Sequence, residues 1–407
     1  MIFFSKFLNV SKTFFDLLVF RILYIFSTFI FLSFCSKQLN NSDFGFITLA
    51  LILINFSSIC INFGFHELTL LRLNSLNEKL NKDRFLSSII INKIIISIIC
   101  IFFCCWYLNY IESFSVNVLI PIACFFFGSS LLSVAYFLYY EKTRLLMLSQ
   151  VISKTLFILF LAFMFDKISS KEIFLLIFCL SEFFLGILCL LFMFKNNFNL
   201  LLRNLSILES FKEGLPYFVN IAGATLYVDI PAILVGTKFS LSEISTFNIA
   251  SKIVKSLENL GFPILNLYLK TFLKSKFSLV IFKKYLYFTI FISIFLALFI
   301  VLISESLITI FFGEKYIIIK QYILILSPNI IFALLGGLAV YTLIAKERIR
   351  TVVKITWIVG IVSLIFIYVA TFFSIKIVAF VITTSQLSIM IILFYNLYKK
   401  LYEKKYL

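Results

Sequence analysis

Catalytic and metal-binding side chains are scarce in this chain. A single histidine, His66, occurs in 407 residues, beside Glu67 at the end of an apolar run. No second His, Asp–Glu pair or Cys cluster completes a metal or nucleophilic site around it. There is no glycine-rich phosphate loop, which argues against an ATPase and leaves an ion gradient, the cargo's own gradient or a partner to supply energy. Charge is sparse too: 14% of residues are Asp, Glu, Lys or Arg, against about 25% in soluble domains. No Gly/Ser linker, low-complexity tail or domain-sized loop interrupts the pattern. No small-residue cleavage site follows the first apolar run, so the segment behind Lys6 and Lys12 reads as a retained membrane helix rather than a signal peptide.

What is abundant is apolar. Hydrophobic residues make up 62% of the chain and the mean hydropathy is +1.09. Runs of about 18 apolar residues or more recur from end to end, each a transmembrane candidate. Twelve spans fit, at about 14–36, 44–65, 86–108, 114–140, 145–165, 172–194, 214–237, 242–269, 285–303, 318–344, 352–373 and 376–398. Cys35, Cys60, Cys100, Cys104, Cys105, Cys124, Cys179 and Cys189 all lie within apolar segments, without zinc spacing or an outer loop to bridge, and read as small packing residues.

The net charge of +17 does not signify nucleic acid, because the basic residues form short clusters between apolar runs. With twelve spans, 24 of the 36 Lys and Arg fall on the side of both termini, seven on the other side and five within spans. Both termini are therefore expected in the cytoplasm. Omitting the charged eighth span would invert every later loop and spoil that bias.

The two halves look duplicated. Leu39-Asn-Asn-Ser-Asp-Phe-Gly-Phe-Ile-Thr-Leu-Ala50 can be laid on Phe239-Ser-Leu-Ser-Glu-Ile-Ser-Thr-Phe-Asn-Ile-Ala250, and Asn62-Phe-Gly-Phe65 on Asn259-Leu-Gly-Phe262. The expected fold is an all-α polytopic membrane protein, with about twelve helices in two parallel six-helix lobes around a central cavity. The lobes would be residues 1–195 and 214–407, joined by a cytoplasmic linker at 196–213.

The five intramembrane cations, Arg21, Lys93, Lys154, Lys252 and Lys255, carry the functional reading. A charge at the centre of a membrane helix costs about 2.5–3.5 kcal/mol even on insertion scales, so such groups are expected to face a cavity and meet an anion there. Asn248, Lys252, Lys255 and Asn259 stand at i, i+4, i+7 and i+11 and share one helical face, with Glu258 beside it. Asn55, Ser58 and Asn62 make a similar stripe on the second span, and the two helices are expected to line a water-filled cleft. Arg21 shares a face with Tyr24 and Thr28, and Lys154 with Gln150, while Lys93 neighbours Asn92 and Ser97. For these three the competing reading is snorkelling to headgroups, since each lies roughly 10–14 Å from a cytoplasmic end. For Lys255 and Glu258 it is mutual neutralisation. Asp229, Glu182 and Glu258 are the ion-coupling candidates, with a salt bridge in the same lobe as the alternative for the first two. Pro231 would free carbonyl oxygens near Asp229, and Pro121, Pro263 and Pro328 are candidate kinks.

These residues carry a resemblance. The stretch Leu39–Arg72, with an outer "L-x-x-x-x-F-G" loop, a helix ending near Gly-Phe and then an Arg, resembles bacterial polysaccharide repeat-unit flippases. Asp229–Gly236 with Phe247–Ile253 looks like that family's seventh and eighth helices, and Phe311–Tyr316 with Ile323–Leu326 like its "F-G-x-x-Y…L" motif before the tenth. Glu243–Phe247 departs from the family's frequent Val-Gly-x-Tyr turn.

The family lies in the multidrug/oligosaccharidyl-lipid/polysaccharide exporter superfamily. The resemblance implies a V-shaped, twelve-helix transporter moving undecaprenyl-diphosphate-linked oligosaccharide units from the cytoplasmic to the periplasmic leaflet of the inner membrane. It would serve O-antigen or capsule biosynthesis, with the cations binding diphosphate. It implies no enzyme activity and no cofactor; the buried acids offer coupling to Na+ or H+, and a polysaccharide polymerase and chain-length regulator are candidate partners. The alternatives are a small-molecule or multidrug cation antiporter of the same superfamily, which would favour an acid-rich cavity, and a membrane polysaccharide polymerase or ligase, which commonly has a large outer loop.

Overall fold

Backbone polar groups inside hydrocarbon have no water to bond, and a helix satisfies them within its own segment. The computed structural model describes residues 2–111, 116–164, 170–203, 205–228, 230–275, 279–346 and 348–403, and among them it contains sixteen α-helices and no strand. In chain order these are α1 (Ile2–Gln38), α2 (Asn41–Asn62), α3 (Phe65–Ser75), α4 (Lys79–Ile111), α5 (Val116–Leu131), α6 (Val134–Tyr139), α7 (Thr143–Met164) and α8 (Lys171–Lys195). They continue with α9 (Ile207–Val228), α10 (Ile230–Lys238), α11 (Leu241–Ser275), α12 (Leu279–Phe311), α13 (Ile319–Leu326), α14 (Pro328–Ala345), α15 (Ile349–Ala370) and α16 (Ile375–Glu403). The chain divides into two compact units, Met1–Phe218 and Val219–Leu407, with the division inside α9.

Among the described residues, ten helical segments are long and apolar enough to cross a membrane. The other two expected spans are helical as well. Span 242–269 lies within α11, whose Lys252, Lys255 and Glu258 lower its hydropathy, and span 214–237 is shared by α9 and α10. Large apolar side chains point outward along these helices, among them Phe102 at 72% exposure and Leu302 at 81%. An apolar surface of this extent is unfavourable in water and suits lipid.

Three spans depart from their expected shape. The second stops at Asn62, where Phe63 (φ 42°) and Gly64 (φ 69°) turn the chain through the left-handed region into α3. A Cβ on Gly64 would sit 2.3 Å from the Tyr217 Cβ, so both conformation and space call for glycine. The span expected at 114–140 is broken at Leu132–Ser133 into α5 and α6, and the tenth is broken at Ser327, directly before Pro328. Pro328 opens α14, where its missing N–H is no loss. By contrast α5 and α11 run on through Pro121 and Pro263.

The proposed duplication has a local structural counterpart in each unit. Asn40 caps α2 by accepting from the Asp43 N–H at 2.8 Å. At the aligned position, Ser240 and Glu243 cap α11 reciprocally: the Ser240 N–H donates to the Glu243 carboxylate at 3.1 Å, and the Glu243 N–H to the Ser240 hydroxyl at 3.4 Å. This is a capping box. The second aligned tetrad differs, because α11 continues through Gly261 where α2 ends at Asn62.

Packing in the first unit centres on α5 against α8, where Gly128 faces Gly186 and the backbones nearly touch. A Cβ on Gly186 would lie 2.3 Å from the Gly128 carbonyl oxygen. Small residues at such crossings let membrane helices exchange dispersion contacts along their length. Gly186→Ala is accordingly expected to destabilise the protein by about 1–3 kcal/mol through overpacking. Thermal unfolding in detergent measures this, and an unchanged midpoint would mean that the crossing can relax.

Candidate functional site

In the first unit the structure separates Lys93 from Lys154. Lys154 on α7 is 1% exposed and forms an ion pair with Glu182 on α8, while also donating to the Ser181 hydroxyl at 2.9 Å. The rings of Tyr24, Phe157 and Phe178 surround its ammonium, with centroids 5.7–5.8 Å away. This charge is compensated by a carboxylate, a hydroxyl and three π-faces. The pairing answers the alternative raised for Glu182, a bridge to a cation of the same lobe.

Lys93 is held differently. It lies on α4 at 6% exposure, and its ammonium donates to the Asn62 side-chain oxygen at 3.1 Å and to the Leu132 carbonyl at 3.0 Å. The Leu132 carbonyl sits at the break between α5 and α6, where helix ends leave carbonyls unsatisfied and their partial negative charge favours a cation. Among the described residues no carboxylate forms an ion pair with Lys93. Its neighbour Asn62 is exposed, as is Asn55 two turns earlier on the same face of α2. A buried ammonium therefore stands one hydrogen bond behind an exposed amide.

The remaining basic candidate of this unit, Arg21, is half-buried on α1, three residues before Tyr24. Arg72, the arginine of the quoted motif, forms a two-point ion pair with Glu213, with Nε donating to Oε2 at 2.7 Å. It ties α3 to the start of α9, and Phe63 supports that junction by stacking on Phe211 and Phe218 at 4.3 and 4.4 Å.

In the second unit the stripe lies on α11, with Lys252, Lys255 and Asn259 half-buried and Asn248 buried at 4% exposure. Lys255 donates to the carbonyl of Val228, the last residue of α9, at 2.9 Å. Lys255 and Glu258 both line a cavity of about 10 Å³, together with Ser251, Pro231, Asn329 on α14 and Gln386 on α16. Asn329 and Gln386 are 3% and 7% exposed, and the side-chain oxygen of each has no hydrogen-bond partner among the described residues. Asp229 falls outside the described residues.

Sequence reasoning missed Asn329, Gln386, Ser181 and the Leu132 carbonyl. A signal for the first two was present, since an amide in the middle of an apolar run invites the same question as a lysine there. The carbonyl had none, because helix breaks do not register in hydropathy.

The helical fold is that of MOP superfamily transporters. The chain superposes on a MATE transporter in complex with MaL6 with a TM-score of 0.74 at 12% identity, covering 98% of this chain and 97% of that one. For the lipid II flippase MurJ in an inward closed conformation the score is 0.71 at 16% identity, covering 96% and 87%. For a MOP superfamily transporter from Pyrococcus furiosus it is 0.73 at 12%, covering 95% and 94%. In sequence, the chain is 23% identical over 241 residues to the Shigella dysenteriae protein named "Putative O-antigen transporter". That match spans 58% of this chain and 60% of the relative's length. A family model described as "Polysaccharide biosynthesis protein" matches residues 36–320, well over half of the sequence. This multi-pass membrane protein belongs to the polysaccharide biosynthesis protein family.

Proposed function

We propose that the protein is a flippase that moves undecaprenyl-diphosphate-linked oligosaccharide repeat units from the cytoplasmic to the periplasmic leaflet of the bacterial inner membrane by alternating access, for O-antigen or capsule assembly. The observation that carries this reading is Lys93, a buried ammonium whose hydrogen-bond partners among the described residues are neutral oxygens. Its uncompensated charge suits an anion, and a diphosphate is the anionic part of such a cargo. Family membership and the O-antigen name of the Shigella relative support the polysaccharide assignment.

In this reading Arg21, Lys93, Lys252 and Lys255 attract the diphosphate and any acidic sugars, and the lipid tail stays in the bilayer. Arg21 brings a planar fork that can bind two phosphate oxygens at once. Asn55, Asn62, Asn248 and Asn259 offer hydrogen bonds to sugar hydroxyls. Lys154, neutralised by Glu182, joins α7 to α8 rather than meeting cargo. No covalent chemistry and no cofactor are needed. A Na+ or H+ gradient drives the cycle through Glu258 and Asp229, both termini lie in the cytoplasm, and a polymerase with its chain-length regulator receives the product.

The test is a strain lacking this gene, in which lipid-linked repeat units are counted and challenged with a periplasmic glycosidase. Accumulation beyond the enzyme's reach is expected. Accumulation within reach would place the defect after crossing and point to a polymerase or ligase. Unchanged repeat units with altered drug tolerance would point to a small-molecule exporter.

A further inference from the structure

The helix pair that holds Lys93 also gathers sulfur. Lys93, Cys100 and Cys104 stand at i, i+7 and i+11 on α4 and share one helical face. From α2, Ser57, Cys60 and Asn62 meet that face. Lys93 donates to Asn62 at 3.1 Å, the Cys100 thiol to the Ser57 carbonyl at 3.9 Å, and the Cys104 sulfur lies 3.3 Å from the Ser57 hydroxyl. Between these contacts the Cys60 and Cys100 side chains hydrogen-bond each other, thiol to thiol, across the two helices.

Burial separates the three cysteines. Cys104 is 0% exposed and engaged by Ser57, Cys100 is 8% exposed, and Cys60 is only half-buried. A small oxidant therefore meets Cys60 first, with Cys100 in contact behind it. An accessible thiol backed by a second one is the arrangement of an attacked and a resolving cysteine. Metal ligation is the other use of clustered thiols, but among the described residues no group of three or more His, Cys, Asp or Glu is placed to hold a metal ion.

We propose that Cys60 and Cys100 are a peroxide-sensitive dithiol whose disulfide stitches α2 to α4 beside the Lys93–Asn62 hydrogen bond. Hydrogen peroxide oxidises the Cys60 sulfur to a sulfenic acid, its O–O bond breaking and one oxygen leaving as water. The Cys100 sulfur then attacks that sulfur, the S–S bond forms, the S–O bond breaks and a second water leaves. Two thiols and one peroxide thus give one disulfide and two waters, with two electrons passing from sulfur to oxygen. The sulfurs must close to about 2.0 Å, which small side-chain rotations across an existing contact supply. Asn62 lies two residues from Cys60, and Lys93 two helical turns from Cys100. Any step that parts Asn62 from Lys93 is then blocked until a thiol reductant reopens the bridge.

The experiment exposes the purified full chain in lipid nanodiscs to hydrogen peroxide, then counts free thiols after denaturation and maps the bridge by peptide mass. Loss of two of the eight thiols, a Cys60–Cys100 cross-link and full recovery with dithiothreitol are expected. In Cys100→Ser the sulfenic acid has no resolving thiol, so dimedone should label Cys60. In Cys60→Ser the shielded Cys100 should stay unlabelled. An unchanged thiol count in the wild type, or a bridge between other cysteines, would overturn the proposal. Oxidation should also raise the unfolding midpoint of the wild type by about 5 °C or more, and an unchanged midpoint would overturn the stitch. In transport, oxidised wild type should slow at least about tenfold and recover with dithiothreitol, while Cys60→Ser is indifferent to peroxide. Undiminished transport with the bridge formed would overturn the block. Only this last readout rests on the flippase reading: thiol count and midpoint decide the stitch whatever the cargo, so the two stand or fall separately.

Discussion

Replacing Lys93 by Met is expected to slow translocation of lipid-linked repeat units about ten- to a hundredfold, while the protein stays in the membrane at wild-type level and is no less stable. A hydrogen bond to a charged group contributes about 1.5–3 kcal/mol, and each 1.4 kcal/mol is about a factor of ten in affinity. Loss of the ammonium's contact with a diphosphate sets the lower figure, and loss of a second bond the upper. The stability side follows from the partners. Lys93 is buried against one amide oxygen and one carbonyl, so its charge is desolvated without a counter-ion among the described residues. Methionine removes that burden with a side chain of similar length, and exposed Asn62 can turn to water. A purely structural lysine would give the opposite pattern, with a lower unfolding temperature and unimpaired transport in whatever protein survives. Measuring glycosidase-accessible repeat units and thermal unfolding on the same preparation separates the two. Wild-type transport at matched protein level would remove Lys93 from the cargo path.

Glu182→Gln is expected to have the largest effect on stability, about 3–5 kcal/mol, because it leaves the ammonium of Lys154 buried at 1% exposure without its carboxylate. Ser181 would remain as a hydrogen-bond acceptor, but a hydroxyl does not neutralise a charge. The double variant Lys154→Met with Glu182→Leu should recover most of the loss, since a well-packed apolar pair often equals a buried ion pair. The surrounding rings of Tyr24, Phe157 and Phe178 already form an apolar wall. Unfolding in detergent of Lys154→Met, Glu182→Leu and their double gives the coupling energy directly. If the double is as unstable as Glu182→Gln, the pair is not the source of the loss. If the double is stable but does not transport, Lys154 or Glu182 acts in the cycle as well as in the fold.

The two lysines show where sequence reasoning stops. Lys93 and Lys154 look alike as cations inside apolar runs, each beside a polar neighbour one turn away. The structure gives one a carboxylate 28 residues further along the chain and the other a carbonyl at a helix break 39 residues away. Neither partner sits at a helical spacing from its lysine, so neither can be found by periodicity. Asn329 and Gln386 lie still further apart in sequence, and they share one cavity only because α14 and α16 pack together.

By itself the sequence determined the properties that sum locally along the chain. Hydropathy set the membrane class and the positions of the helices, because each apolar run must satisfy its own backbone in lipid. Short-range chemistry set the caps at Asn40 and Ser240, because an N-cap and its acid are three residues apart whatever the rest of the chain does. The tertiary structure alone decided that a helix breaks at Leu132–Ser133 and which buried charge meets an opposite one. Those outcomes depend on the atom that arrives from another helix, and at the low dielectric of a membrane interior that atom outweighs every local preference.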